Sequence, residues 1–587
     1  MSILLQLAIA LSVSVVLAQR NVNTLNNCNP VIKCTSCTGF TNITSFRTID
    51  GTCNNLKRRT MGAANTPLGR LLAADYVDKR KLDTPRGFPR TLPVVPTPHE
   101  VSAAVFRVQM ENKERASKGL SAMFMSLGQF IDHDVGSTPH PSCNVSAGCA
   151  SNSAFRYPCF PIRFQHNGAN CSSFARSIPV CQSGRRKTRQ QINVLSSYLD
   201  LSQVYSNSFK KAQSLRTLDG RGELKVTRSG LLPIARPASD TSCDNAAGCS
   251  LVGDERGDEN IALSAMHTIW VRNHNFIARR LRRVRRRGGK AWTEDLLFET
   301  ARKINIAIYQ RIVYKEFLPE LVGLSGYPGY KSHVDTSLLN VFSAAAFRFG
   351  HSLVPNAWSQ LNKNFDQQFP DISLQASFFN TTSLRQRGIE PTAFGLLANQ
   401  SQVVDTKFAF GIARRLFVPV GEIRHEDLTA LNIQRGRDHG LRTYGAWRKV
   451  CGLKKLQGFS DLRHSMPRSV ITGFKRLYKS PNDIDIFAAG IAEHHSGRKM
   501  LGPTFQCILR KQFERLRDGD RFFYEARGVF TTAQRAEIRK MTFSEVLCNT
   551  LHGIVSIQRK SLKAATSSTA RVVCSRIPGM NFGRWNL

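Results

Sequence analysis

Acidic residues are scarce: 42 Asp plus Glu stand against 82 Lys plus Arg in 587 residues, a formal charge of +40. That balance excludes an acidic solvating protein and predicts retention on anionic surfaces. A run long enough to span a bilayer is also missing. The longest apolar stretch, residues 3–18, falls short of the roughly 20 residues a spanning helix needs, and it lacks a stop-transfer flank. With Val16 and Ala18 where a signal peptidase reads, residues 1–18 read as a cleaved secretory signal, and the mature chain is expected outside the cell. Charged residues are only 21% of the chain and hydrophobic ones 41%, so the excess of Arg belongs to a folded protein and not to a disordered or collagen-like one. No HExxH, no second CxxC and no nucleic-acid motif occurs, which removes zinc proteases and nucleic-acid binders.

Cysteine, by contrast, is abundant: fifteen, which in a secreted chain read as disulfides. They cluster at Cys28, Cys34, Cys37 and Cys53, then across residues 143–181, at Cys243 and Cys249, and from Cys451 to Cys574. Cys34 and Cys37 form a CxxC of the kind found in zinc and redox sites. With no second pair or nearby His to complete a tetrad, a structural disulfide is the better reading. The odd count leaves one thiol free or bridging to another chain, with Cys181 as the candidate. Five sequons, at Asn42, Asn144, Asn170, Asn380 and Asn399, predict solvent-facing, glycosylated loops.

Helical spacing dominates the rest. Residues 118–132 place Leu120, Met123, Phe124, Leu127, Phe130 and Ile131 three and four apart, and similar stripes predict helices over 260–283 and 293–316. Residues 80–98 and 135–190 read as loops. Strand signals are few, so the expectation is a mainly α-helical fold: a single large domain over 46–587 with few short strands and disulfide-tied loops, behind a Cys-rich segment at 19–45. The run RRLRRVRRR at 279–287 sits where a helix ends, a place the helix dipole makes favourable for cations. A solvated terminus, a patch for glycosaminoglycan or acidic matrix, and a processing site all fit it.

Four polar constellations carry chemistry. LGQFIDHD at 127–134 groups Gln129, Asp132, His133 and Asp134, and carboxylates beside an imidazole can make His133 a general base, although a hydrogen-bonded surface His reads the same way. The others are GDERGDE at 253–259, FRFGH at 347–351 and NIQRGRDH at 432–439. In this order, together with RTIDGTCNN at 47–55, Tyr205 and Asp461, they resemble the animal haem peroxidases over nearly the whole mature chain.

The resemblance implies a secreted enzyme that reduces hydrogen peroxide and oxidises phenols, catechols, halide or thiocyanate. It makes His133 the distal base, Gln129 its neighbour, Arg256 the distal charge stabiliser and His351 the proximal iron ligand. Asn432 becomes the acceptor of the other ring N–H of that ligand, and Arg348 and Arg435 the contacts of the haem propionates. Asp132 and Glu259 match carboxylates that form esters to haem methyl groups, whereas Asn260 stands where one branch has the Met of a sulfonium link. Asp134, Ser196, the Tyr198 carbonyl, Asp200 and Ser202 match a calcium site. The alternative is a secreted adhesion or matrix-binding protein on the same scaffold, for which Arg256-Gly257-Asp258 would be the adhesive tripeptide.

Overall fold

The computed structural model describes residues 28–37, 45–88, 94–110, 116–143, 157–164, 171–181, 187–235, 248–422, 426–565 and 570–586. Residues 1–18, expected to be a signal, three sequons (Asn42, Asn144 and Asn170) and Cys149 and Cys243 lie outside the described residues. Asn380 and Asn399 are both exposed.

The architecture is helical. The elements that frame the site are α1 (Pro98–Val105), α2 (Ala122–Val135), α3 (Ile261–Arg282), α4 (Glu294–Ile312), α5 (Leu428–Asp438), α6 (Ile486–Ala492) and α7 (Pro503–Asp518). Strands among the described residues occur only as two-stranded sheets. Helix α2 begins four residues later than its apolar spacing predicts, because residues 116–121 are a strand paired with Gln400–Gln402. Ser121 N–H donates to the Leu562 carbonyl and Ala122 N–H to that of Asn399, so neighbouring chain takes donors that an earlier helical turn would use. The 293–316 expectation is met by Thr293, which caps α4, but the helix passes into a π turn at Val313–Phe317. Pro319, with no N–H to give back to residue 315, explains the change of pitch.

Helix α2 has little solvent face. Met123, Phe124, Leu127, Phe130 and Ile131 are fully buried. Phe130 lies parallel to Trp270 of α3 at 6.2 Å, and Trp270 meets Tyr309 of α4 edge-on at 5.2 Å. Losing one such ring costs roughly 3–5 kcal/mol, so α2, α3 and α4 are fixed as one block. On the other side, α5 is tied to α6 through Asp485, which precedes α6 and accepts from Arg437 at 2.7 Å, Arg86 at 2.9 Å and the Tyr478 hydroxyl at 2.8 Å.

Disulfides join Cys28–Cys181, Cys37–Cys53, Cys143–Cys159, Cys451–Cys507 and Cys548–Cys574. Cys181 is therefore not the odd thiol. Among the described residues the thiol of Cys34, the first residue of the CxxC, is left without a disulfide, because Cys37 pairs with Cys53 instead. Its sulfur lies 3.5 Å from that of Cys53.

Candidate active site

Two clusters of polar side chains face one cavity of about 1140 Å³. The first is built on α2 and on the turn that precedes α3. His133 is 4% exposed, with Nε2 3.9 Å from Glu259 Oε2 and Nδ1 3.9 Å from Asp254 Oδ1. Gln129, one turn earlier, donates to Glu259 Oε1 at 2.9 Å. Asn260 caps α3 through its Oδ1 and donates from Nδ2 to Gln129 Oε1 at 3.0 Å, so one residue both starts the helix and orients the cavity wall. Arg256 grips Asp254 with two bonds of 2.8 Å and donates to the His133 and Gly136 carbonyls at 3.3 and 3.2 Å. Asp254 was not singled out from the sequence. Its only signal is its place two residues before Arg256, in a segment rich in both charges.

The electrostatics divide these groups. Burial, reinforced by Arg256, holds His133 well below the usual imidazole range, so it is neutral and able to take a proton. Burial would raise Asp254, but Arg256 outweighs it and keeps the carboxylate charged. For Asp132 and Glu259 burial wins over Arg256, raising both, Glu259 to about 7.

The second cluster comes from the turn at Ala346–Leu353 and from α5. His351 Nδ1 lies 2.9 Å from the amide nitrogen of Asn432, which leaves Nε2 without a hydrogen-bond partner in the cavity wall. Burial, with Arg348, lowers His351 to about 3, so this ring is neutral as well. Arg348 donates to Asn432 Oδ1 at 2.7 Å and has no carboxylate within ion-pair distance among the described residues. Burial and Arg435 lower it to about 10. Arg435 lies over the Phe174 ring at 4.1 Å and is shared with Ala175, Ser177 and Asp438. All nine residues read from the sequence as catalytic or cofactor-binding meet here. Eight line the cavity, and Asn432 stands behind His351. The Arg256-Gly257-Asp258 tripeptide is turned inward, with Gly257 and Asp258 buried, so it is not presented to an adhesive partner.

The sequence matches the animal haem peroxidase family over residues 46–562. The chain belongs to that family. As an animal haem peroxidase it is 34% identical to thyroid peroxidase of Sus scrofa over 96% of its own length and 65% of the relative's. It is 35% identical to eosinophil peroxidase of Homo sapiens over 92% of its length and 79% of the relative's. Against peroxidasin of Drosophila melanogaster it spans only 37% of a longer chain. Its structure resembles peroxidase A of Dictyostelium discoideum with a TM-score of 0.75 and 28% identity, over 89% of this chain and 99% of that one. A rice fatty acid alpha-dioxygenase shares the fold, with a TM-score of 0.68 at 17% identity.

The cavity of this peroxidase suits haem on its own chemistry. Two neutral imidazoles face it, and Arg348, which makes no ion pair with a carboxylate among the described residues, can take an anionic group.

Behind His133 lies a separate oxygen-rich nest. Asp134 Oδ1 accepts from Ser202 N–H at 2.7 Å, and Asp200 Oδ2 from the Ser196 hydroxyl at 2.8 Å. Asp134 Oδ2 and Asp200 Oδ1 are buried with no hydrogen-bond partner. Tyr198 gives its hydroxyl to the Met61 carbonyl, so only its backbone oxygen is left to offer. Burial raises both acids, Asp200 to about 6 and Asp134, which also feels Asp200, well above the carboxylate range. Among the described residues these two buried carboxylates, each with an orphan oxygen, make no direct ion pair, although Arg47 and Arg302 act on Asp200 from further off, and an oxygen-only donor set suits a hard divalent ion.

Proposed function

We propose that the chain is a secreted peroxidase that reduces hydrogen peroxide between His133 and His351 and oxidises small donors, phenols and catechols or halide and thiocyanate. The observation that carries the reading is the pair of neutral imidazoles, His133 buried and His351 half-buried, in the walls of one cavity. Haem bound there supplies the iron that takes two oxidising equivalents from hydrogen peroxide and passes them to the donors.

His133 accepts a proton from the near oxygen of hydrogen peroxide and returns it to the far one, so that water leaves instead of hydroxide. Arg256, held by Asp254, balances charge on the separating oxygens. Gln129 keeps Glu259 in place beside them. His351 would hold the iron through Nε2. For that its proton must sit on Nδ1 and face the Asn432 oxygen, whereas here the amide turns its oxygen to Arg348 and its nitrogen to the ring. Arg348 and Arg435 would hold the propionates; Arg348 so engaged would release that oxygen, and a half-turn of the Asn432 amide would then give the His351 Nδ1–H its acceptor.

Asp132 and Glu259 would hold haem through esters to its methyl carbons, each C–O bond made as one carboxyl O–H and one methyl C–H give two hydrogens and two electrons to one hydrogen peroxide, which would become two waters. A wall that disfavours ionised carboxylates favours the neutral ester. Calcium held by Asp134, Ser196, the Tyr198 carbonyl, Asp200 and Ser202 would brace the end of α2 that carries His133.

The remaining assignments are a signal at 1–18, a Cys-rich segment at 19–45, the peroxidase domain over 46–587, glycosylation at the sequons and association with anionic matrix. In the described residues no helix is long and apolar enough to cross a membrane. The test is a pair of variants. His351→Ala should be secreted without haem, whereas His133→Ala should keep its haem and lose at least about a hundredfold in its reaction with peroxide. A distal variant as fast as wild type would contradict the assignment.

A further inference from the structure

Residues 29–32, within the Cys-rich segment at 19–45, form part of the cavity's edge. Asn29, Pro30, Val31 and Ile32 line the same cavity as His133 and His351. Pro30 and Val31 are also exposed to solvent, Val31 at 38%, which places this stretch where the cavity meets the surface. It is an extended arm pinned at both ends, by Cys28–Cys181 before the lining residues and by Cys37–Cys53 after them. Between the pins, Asn29 N–H donates to the Pro179 carbonyl, Cys181 N–H to that of Asn29, and Ile32 N–H to that of Asn65, at 2.9 to 3.0 Å. Arg59 adds a bond to the Thr35 carbonyl.

Crosslinks at its two ends, one to distant Cys181 and one to nearby Cys53, do little for the core, because the arm has almost no buried apolar surface of its own: among residues 29–37 only Asn29 is buried. What the pins achieve is positional. A short strap held in this way cannot swing aside, and a wall that cannot move discriminates by size.

We propose that residues 29–32 form a fixed wall of the donor's passage into the cavity and set an upper limit on donor size, admitting small anions and single phenol rings and disfavouring tyrosine within a polypeptide. The inference rests on the reading that donors are oxidised at this cavity. The backbone that forms the wall is independent of the motifs that carry the chemistry, so it can change the choice of donor without touching peroxide reduction.

The test compares two donors, iodide and a tyrosine-bearing decapeptide, in three haem-loaded proteins that all carry Cys34→Ser, so that the thiol beside the Cys37–Cys53 bond cannot re-pair. One has no further change, one adds Cys28→Ser and Cys181→Ser to free the arm, and one adds Val31→Trp to thicken it. Freeing the arm should raise the ratio of kcat/KM for the peptide over iodide by about tenfold, and thickening it should lower the ratio by a similar factor, with iodide changed less than about twofold. If all three oxidise iodide with the same ratio, the arm is no gate. Should the arm-free variant fail to fold, Val31→Trp alone decides, because an unchanged ratio there overturns the proposal. A parent protein that holds haem and oxidises neither donor would overturn the peroxidase reading, and the arm's role with it.

Discussion

At the scale of single residues, the site works by sorting charge states. Burial drives His133 and His351 to neutrality and lifts Asp132 and Glu259, while Arg256 and Asp254 stay ionised because they hold each other. Asp254 is thus a positioning residue whose effect passes through Arg256. With Asp254→Asn, the Soret band should be retained, while the rate constant for peroxide falls by roughly a hundredfold, the scale of losing one aligned charge-stabilising donor. A rate within about twofold of wild type would show that Arg256 needs no such partner. The nine residues read as catalytic or cofactor-binding could be picked out because each lies in a short, dense motif. Asp254, and Phe174 beneath Arg435, were not, since only the folding together of distant segments shows what they touch.

Among elements, the placement of α5 matters most, because it carries Asn432 to His351 and Arg437 to Asp485. Burial would raise Asp485, but Arg437 and Arg86 outweigh it and hold it at about 2. An unfolded Asp titrates near about 3.9, so between those values the unfolded state binds more protons. The stability this pair contributes is full above that window and is lost as pH falls through about 2. Asp485→Asn should therefore cost about 3 kcal/mol near neutral pH. It should also flatten the acid side of a urea-midpoint profile, and a profile merely parallel to wild type would contradict the pairing. Apolar spacing located α2, α3 and α4. It missed where α2 starts and how α4 ends, because a strand partner and a single proline decide those points and neither belongs to the helical period.

On the scale of the molecule, the charge is unevenly used. Many arginines are buried in ion pairs, yet Arg283, Arg285 and Arg287 at the end of α3 are exposed and unpaired among the described residues, with Glu223 engaging only Arg279 and Arg282. Replacing those three by Gln should lower the salt needed for elution from heparin more than a matched triple replacement elsewhere, and equal shifts would mean that net charge alone sets retention. The helical class and the family were legible from motif order. The pairing of Cys28 with Cys181 was not, because a disulfide closing 153 residues leaves no local trace.

The measurement that tests the central claim most directly is the absorption spectrum of the purified secreted protein, taken before and after acid extraction and after addition of hydrogen peroxide. A haem peroxidase anchored through Asp132 and Glu259 should show a Soret band that survives extraction and shifts with peroxide. A protein with no haem band, or one whose band ignores peroxide, would contradict the account.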